Sequence, residues 1–210
     1  MRILKCNSAL DQATLDAIQI AADDIRAGEL VVYPTDTVYG IGANIFDQVA
    51  VKKLFVAKNR PFDMPLSVAV ADKDMVEQIA IMTKPVEKLI DAFLPGPLTI
   101  ITKKNPNVPD IVTSMSNKVG IRIPNDPLDL ELIKRTGPIV ATSANLHSNP
   151  DALTVEEAVA DFGDKVSTYL DEGPCGTGHP STIVWISDNQ IEIIRQGDIT
   201  KKQIEDALYA

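Results

Sequence analysis

Two short clusters hold the side chains best suited to chemistry in this chain: Lys58-Asn59-Arg60 and Ser143-Ala144-Asn145. Two cations at i and i+2, with a small hydroxyl and an amide elsewhere, are what a site needs to hold oxyanions. A guanidinium forks onto two oxygens, and an ammonium acts as a movable point charge. Spacing alone leaves a second reading open, in which Lys58 and Arg60 form a solvated last turn of a helix and complement its dipole. Arg122 poses the same choice. It lies between Ile121 and Ile123 in a strand, so its side chain leaves by the opposite face, to bind a ligand or to snorkel into solvent. Arg195, at the end of the last strand, is open in the same way.

Thr35 and Thr37 flank Asp36 directly after a strand, where α/β sheets place ligand sites. Their hydroxyls could meet a small polar substrate or cap a turn. The run Gly173-Pro174-Cys175-Gly176-Thr177-Gly178 lets backbone N–H groups approach an anion, yet it lacks the Gly-Lys-Ser/Thr of a phosphate loop and reads equally as a surface loop. His147 and His179 have no partners at metal-ligand spacing. No GxSxG elbow supports a serine triad.

The elements that must position these groups alternate between strand and helix. Leu15, Ile18, Ala22 and Ile25 share a helical face, stopped by Gly28, and a strand covers 30–33. Asp47 can cap the helix that Asn59-Arg60-Pro61 closes. A strand is expected over 65–71, helices over 73–82 and 84–93 (the second capped by Thr83), and a strand over 98–102. An irregular loop at 103–117 precedes a strand at 119–123, a helix at 127–135 and a strand at 139–141. Thr154 with Glu157, and Thr200 with Gln203, have capping-box spacing for helices at 155–162 and at the C-terminus. A strand at 166–170 and a hairpin of 182–187 with 190–195 around Asp188-Asn189 complete the order. This is an α/β domain on a mixed sheet covered by helices, with no linker dividing residues 1–210.

Composition narrows the function classes. The 210 residues are 45% apolar, enough for one self-sufficient core. Two cysteines without a CxxC pair fit free thiols in a reducing, cytoplasmic setting, with Cys175 a candidate exposed thiol. Neither a signal pattern nor a membrane-length apolar run is present. A net charge of −9 disfavours nonspecific nucleic-acid binding, although Lys52, Lys53, Lys58 and Arg60 could form a local basic patch.

Seven motifs, in order and spanning roughly 10–208, resemble the YrdC-like family of threonylcarbamoyl-AMP synthases. They are PTDTVYGIGA (34–43), KNRP with PL (58–66), PGPLT (95–99), VGIRIP (119–124), ATSAN (141–145), PSTI (180–183) and IIRQGDI (193–199). The resemblance implies a short, single-domain member with a YrdC-like twisted mixed sheet, flanking helices and a concave, electropositive cavity. It implies a nucleotidyltransferase that makes threonylcarbamoyl-AMP from L-threonine, bicarbonate or CO2 and ATP, with Mg2+ accompanying the ATP and pyrophosphate leaving. The product supplies N6-threonylcarbamoyladenosine at position 37 of tRNA through a partner transferase.

By the same resemblance, Lys58, Arg60, Ser143 and Asn145 form a catalytic tetrad that also binds ATP, with Arg195 on the nucleotide. Lys58 and Arg60 would face the carbamate and phosphates. Thr37, Arg122, the Ala141 backbone and Ser181 would hold threonine, Arg122 pairing its carboxylate. Two positions depart from the family pattern: Met64 stands where members often carry Asn, and Ala69 where they often carry His. Those positions contact nucleotide and threonine in the family, and Met64 and Ala69 offer no comparable hydrogen bonds. A YrdC-like protein that binds double-stranded RNA or tRNA without making the adenylate is the alternative, and another carbamate or acyl-adenylate chemistry in the same cavity is a third.

Overall fold

The computed structural model describes residues 1–175, 180–187 and 190–209. Among them, the order is β1 (Arg2–Lys5), α1 (Gln12–Arg26), β2 (Val31–Tyr33), β3 (Gly40–Asn44), α2 (Gln48–Ala57), β4 (Ser67–Ala69), α3 (Lys73–Ile79), α4 (Lys84–Phe93), β5 (Leu98–Lys103), β6 (Lys118–Arg122), α5 (Pro127–Thr136), β7 (Ile139–Ser143), α6 (Val155–Phe162), β8 (Thr168–Asp171), β9 (Thr182–Ser187), β10 (Gln190–Arg195) and α7 (Lys201–Tyr209). The strands form one mixed sheet in the order β1-β8-β2-β3-β7-β4-β6-β5-β9-β10. No described helix is long and apolar enough to cross a membrane.

Helix starts follow the sequence signals. Asp11, Asp47, Asp72 and Asp126 each accept first-turn backbone N–H groups. Thr154 and Glu157 form the expected reciprocal box, as do Thr200 and Gln203. Thr83 stands at the N-cap of α4 without a side-chain cap bond. The helix expected to reach residue 82 stops at Ile79, because Ala80 pairs with Lys104 as an isolated bridge.

Strands β1 and β3 are absent from the sequence reading. β1 is a largely exposed edge strand with charged residues at both ends, so it lacks an apolar run. In β3, Gly40 and Gly42 look like turn residues, yet both are buried mid-sheet because the Tyr33 ring lies over them. A Cβ would sit 3.0 Å from that ring at Gly40 and 2.9 Å at Gly42. The Asp188-Asn189 turn and residues 176–179 of the glycine-rich run lie outside the described residues.

The two-residue period of the strands sorts the sheet into unlike faces. Val32, Ile41, Val68, Val140, Ile121, Ile100 and Val184 point to one side, into a core closed by residues of α2, α3, α4, α6 and α7. The other side is paved with small residues in register: Gly42 opposite Ala141, Ala141 opposite Ser67, Ser67 opposite Gly120. Helices α1 and α5 cover part of this side through Ile18, Ala22, Leu132 and Ile133 against Val31, Tyr33 and Ile139. The remainder stays open.

Adding a methyl at Gly42 forces the fully buried Tyr33 ring to move. Gly42→Ala is expected to lose about 1–3 kcal/mol in urea denaturation, as overpacked cores do; wild-type stability in this variant would contradict the close-approach account.

Candidate active site

The open part of the second face is a cleft of about 860 Å3 including its mouth, within the range of small-molecule sites. Arg60, Arg122 and Arg195 line it, together with Thr37, Ala69, Ala141, Ser143 and Ser181. Seven of the nine expected site residues are thus on one surface. Lys58 and Asn145 are not among the cleft's lining residues.

Each arginine is held by protein oxygens. Arg122 donates from Nε to the Gly96 carbonyl (3.2 Å), from Nη1 to Thr37 Oγ1 (2.9 Å) and from Nη2 to Asp36 Oδ1 (2.5 Å). That uses three of its five N–H bonds and leaves two. Thr35 donates its hydroxyl to the Val38 carbonyl at 2.7 Å, so it caps the turn, and its Oγ1 lies 3.1 Å from Thr37 Oγ1. Arg195 donates to the Ser181 carbonyl (2.9 Å) and hydroxyl (3.2 Å), and Ser181 Oγ contacts Thr99 Oγ1 at 2.8 Å. Arg60 donates to the carbonyls of Met64 and Pro65.

Lys58 and Arg60 part company because of Asn59. Lys58 ends α2, and Asn59 adopts the left-handed conformation at φ 53°. Arg60 N–H then bonds the Phe55 carbonyl, and Asn59 N–H the Val56 carbonyl, the paired bonds of a Schellman helix end. This reversal sends Arg60 to the cleft and turns Lys58 inward, where it is 2% exposed. The solvated-turn alternative does not match this placement. Its Nζ donates to the carbonyls of Ser143 (2.5 Å) and Asn145 (2.6 Å), while Ser143 Oγ donates to Asn145 Oδ1 (2.6 Å). Lys58 therefore fixes the turn that presents Ser143 to the cleft. Of the four residues of the possible basic patch, Lys58 is buried and Lys53 pairs with Glu29.

A family model described as "Telomere recombination", Sua5/YciO/YrdC, matches residues 23–197. This chain belongs to the Sua5/YciO/YrdC family. A relative from Methanocaldococcus jannaschii is 39% identical, with 94% of each chain aligned. A Bacillus subtilis protein named threonylcarbamoyl-AMP synthase is 40% identical over 88% of this chain and 54% of its own length. The crystal structure of P. abyssi Sua5 complexed with L-threonine superposes with a TM-score of 0.93 at 34% identity, covering 99% of this chain and 61% of that one.

In this Sua5/YciO/YrdC chain the cleft also contains Tyr33 and Asp129, which motif reading passed over. Asp129 had a signal: it shares a helical face with Leu132 and Ile133, an apolar stripe that should not carry an acid. Tyr39 lines the cleft but donates its hydroxyl to the Gly173 carbonyl, tying down the segment after β8. Cys175 packs on the main core, and burial pushes its thiol up to about 11, away from a reactive thiolate. Met64 is 38% exposed and outside the lining, whereas Ala69 offers the cleft only a methyl.

Asn59→Gly keeps the left-handed turn, whereas Asn59→Val is expected to cost about 1–2 kcal/mol in chemical denaturation; equal stability of the two variants would contradict the helix-end account. Burial, and then the Arg60 charge, pull the Lys58 ammonium down to about 7. A neutral amine keeps two N–H bonds, one for each close carbonyl. The unfolded chain binds this proton up to about pH 10.4, so folding releases it between the two values and stability rises with pH across that window. Between pH 7 and 9 the wild-type protein should therefore gain stability relative to Lys58→Met; a parallel pH dependence of the two would show that Lys58 stays charged.

Proposed function

We propose that this protein is an L-threonylcarbamoyladenylate synthase that uses L-threonine, bicarbonate or CO2, and ATP. The threonine amine captures CO2 as a carbamate, a carbamate oxygen attacks the α-phosphorus of ATP, and pyrophosphate leaves. The observation that carries this reading is a single cleft presenting three anchored guanidinium groups and the hydroxyls of Thr37, Ser143 and Ser181. Likeness to a Sua5 structure holding L-threonine and to a named synthase supports it.

In this reading Arg122, with two N–H bonds to spare, pairs the threonine carboxylate, helped by Thr37, Ser181 and the Ala141 backbone. Arg60, Ser143 and Arg195 face the nucleotide and neutralise charge as the phosphorus is attacked, the term that dominates such reactions. Lys58 and Asn145 act on ATP through the turn that carries Ser143. In this reading magnesium arrives as the ATP complex. The product then passes to a partner transferase for N6-threonylcarbamoyladenosine at position 37 of tRNA, and residues 1–210 act as one catalytic domain.

Incubation with ATP, magnesium, threonine and bicarbonate should release pyrophosphate only when both threonine and bicarbonate are present. Release without either, or none at any concentration, removes the synthase reading. Arg60→Ala should lower kcat/KM by about 100-fold or more, as loss of a preorganised charge does; near-normal turnover would take Arg60 out of the site.

A further inference from the structure

Asp129 is a polar side chain in the cleft that neither the fold nor the reaction above uses. Asp129 lines the cleft and is 1% exposed, and its buried Oδ1 meets no hydrogen-bond donor. Among the described residues the one other buried side-chain atom left so is Asn7 Oδ1, which is outside the cleft lining. Helix α5 does not need the Asp129 carboxyl, because Asp126 Oδ1 already accepts from Leu128 N–H (2.9 Å) and Asp129 N–H (3.0 Å). Leaving a buried carboxyl unpaired costs stability, and buried polar atoms in folded proteins nearly always have a partner. Here the missing partner has a place to come from, since Asp129 lines a ligand-sized cleft.

The chemistry of that partner follows from the surroundings. Burial, and then the neighbouring Asp126 charge, push the Asp129 carboxyl well above the ordinary carboxylate range, while Arg122 pulls it back less strongly. That direction favours the protonated carboxylic acid, which has one O–H to donate and oxygens to accept. A hydroxyl, which also donates and accepts, is its match, whereas a cation would require the charged form. Across the lining, Ala69 contributes only a methyl and leaves room, while Tyr33 adds a buried phenol.

We propose that Asp129 recognises the side-chain hydroxyl of the amino-acid substrate and so sets the choice of threonine over its isostere valine. The inference rests on the synthase reading for the identity of the amino acid, but binding tests it without turnover. A site built to hydrogen-bond a hydroxyl rejects the analogue lacking it far more strongly than an apolar pocket can.

Binding of L-threonine and L-valine to the full chain, by calorimetry without ATP, is the direct measurement. Wild type should favour threonine by about 100-fold or more, and Asp129→Leu should reduce the preference to within about 10-fold. Asp129→Asn, which keeps a donor and an acceptor, should retain most of it. The free Asp129→Leu protein should melt no lower than wild type, because the unpaired group is gone; Asp129→Ala gives the same readout if leucine does not fit. An unchanged threonine-to-valine ratio in the apolar variants overturns the assignment and leaves the synthase reading standing. Asp129-dependent threonine binding without pyrophosphate release would do the reverse. A wild-type protein that binds both amino acids equally, or neither, overturns the inference.

Discussion

Along the central strands, large and small side chains alternate, and this alternation determines where the molecule is solid and where it is hollow. Ile41, Val140, Val68 and Ile121 face one way, into a closed core. Gly42, Ala141, Ser67 and Gly120 face the other way and line up across four strands. A surface so flat cannot interdigitate with a covering helix along its whole length, so α1 and α5 seat only where Val31, Tyr33 and Ile139 give them something to pack on. The cleft is what remains. Its floor is rigid because it is the back of the main core.

On that floor the charged groups are fixed before any ligand arrives. Arg122 is braced by Asp36, Thr37 and Gly96, Arg195 by Ser181, and Arg60 by the carbonyls of Met64 and Pro65. Anchored guanidinium groups lose little freedom on binding, which is how preorganisation improves both affinity and charge stabilisation. The buried lysine serves the same end indirectly. By bonding the Ser143 and Asn145 carbonyls together, Lys58 pins the turn in which Asn145 N–H also bonds the Ser143 carbonyl.

These arrangements cost stability. A lysine 2% exposed and a carboxyl 1% exposed with an unpaired oxygen are both unfavourable in isolation. The two are placed differently: Lys58 has its partners within the fold, and Asp129 faces the cleft without one. That contrast separates a group serving the scaffold from one left available to a ligand.

Much was legible in the one-dimensional text. Helix caps such as Asp47 and Thr154 act over three or four residues, so local chemistry reveals them. The aliphatic strands read clearly because their period is set by the backbone. The seven motifs placed the candidate residues near strand and helix ends, and the sheet brings seven of the nine to one cleft. What stayed hidden depends on neighbours distant in sequence. The strand through Gly40 and Gly42 has no aliphatic run to show it, and its place is set by the Tyr33 ring laid over both glycines. Lys58 and Arg60, two residues apart, look like one charge cluster until Asn59 turns the chain between them. Residue type and spacing determined which groups were available. Burial and direction, which depend on packing across the whole chain, decided which of them faces the cleft and which holds the scaffold.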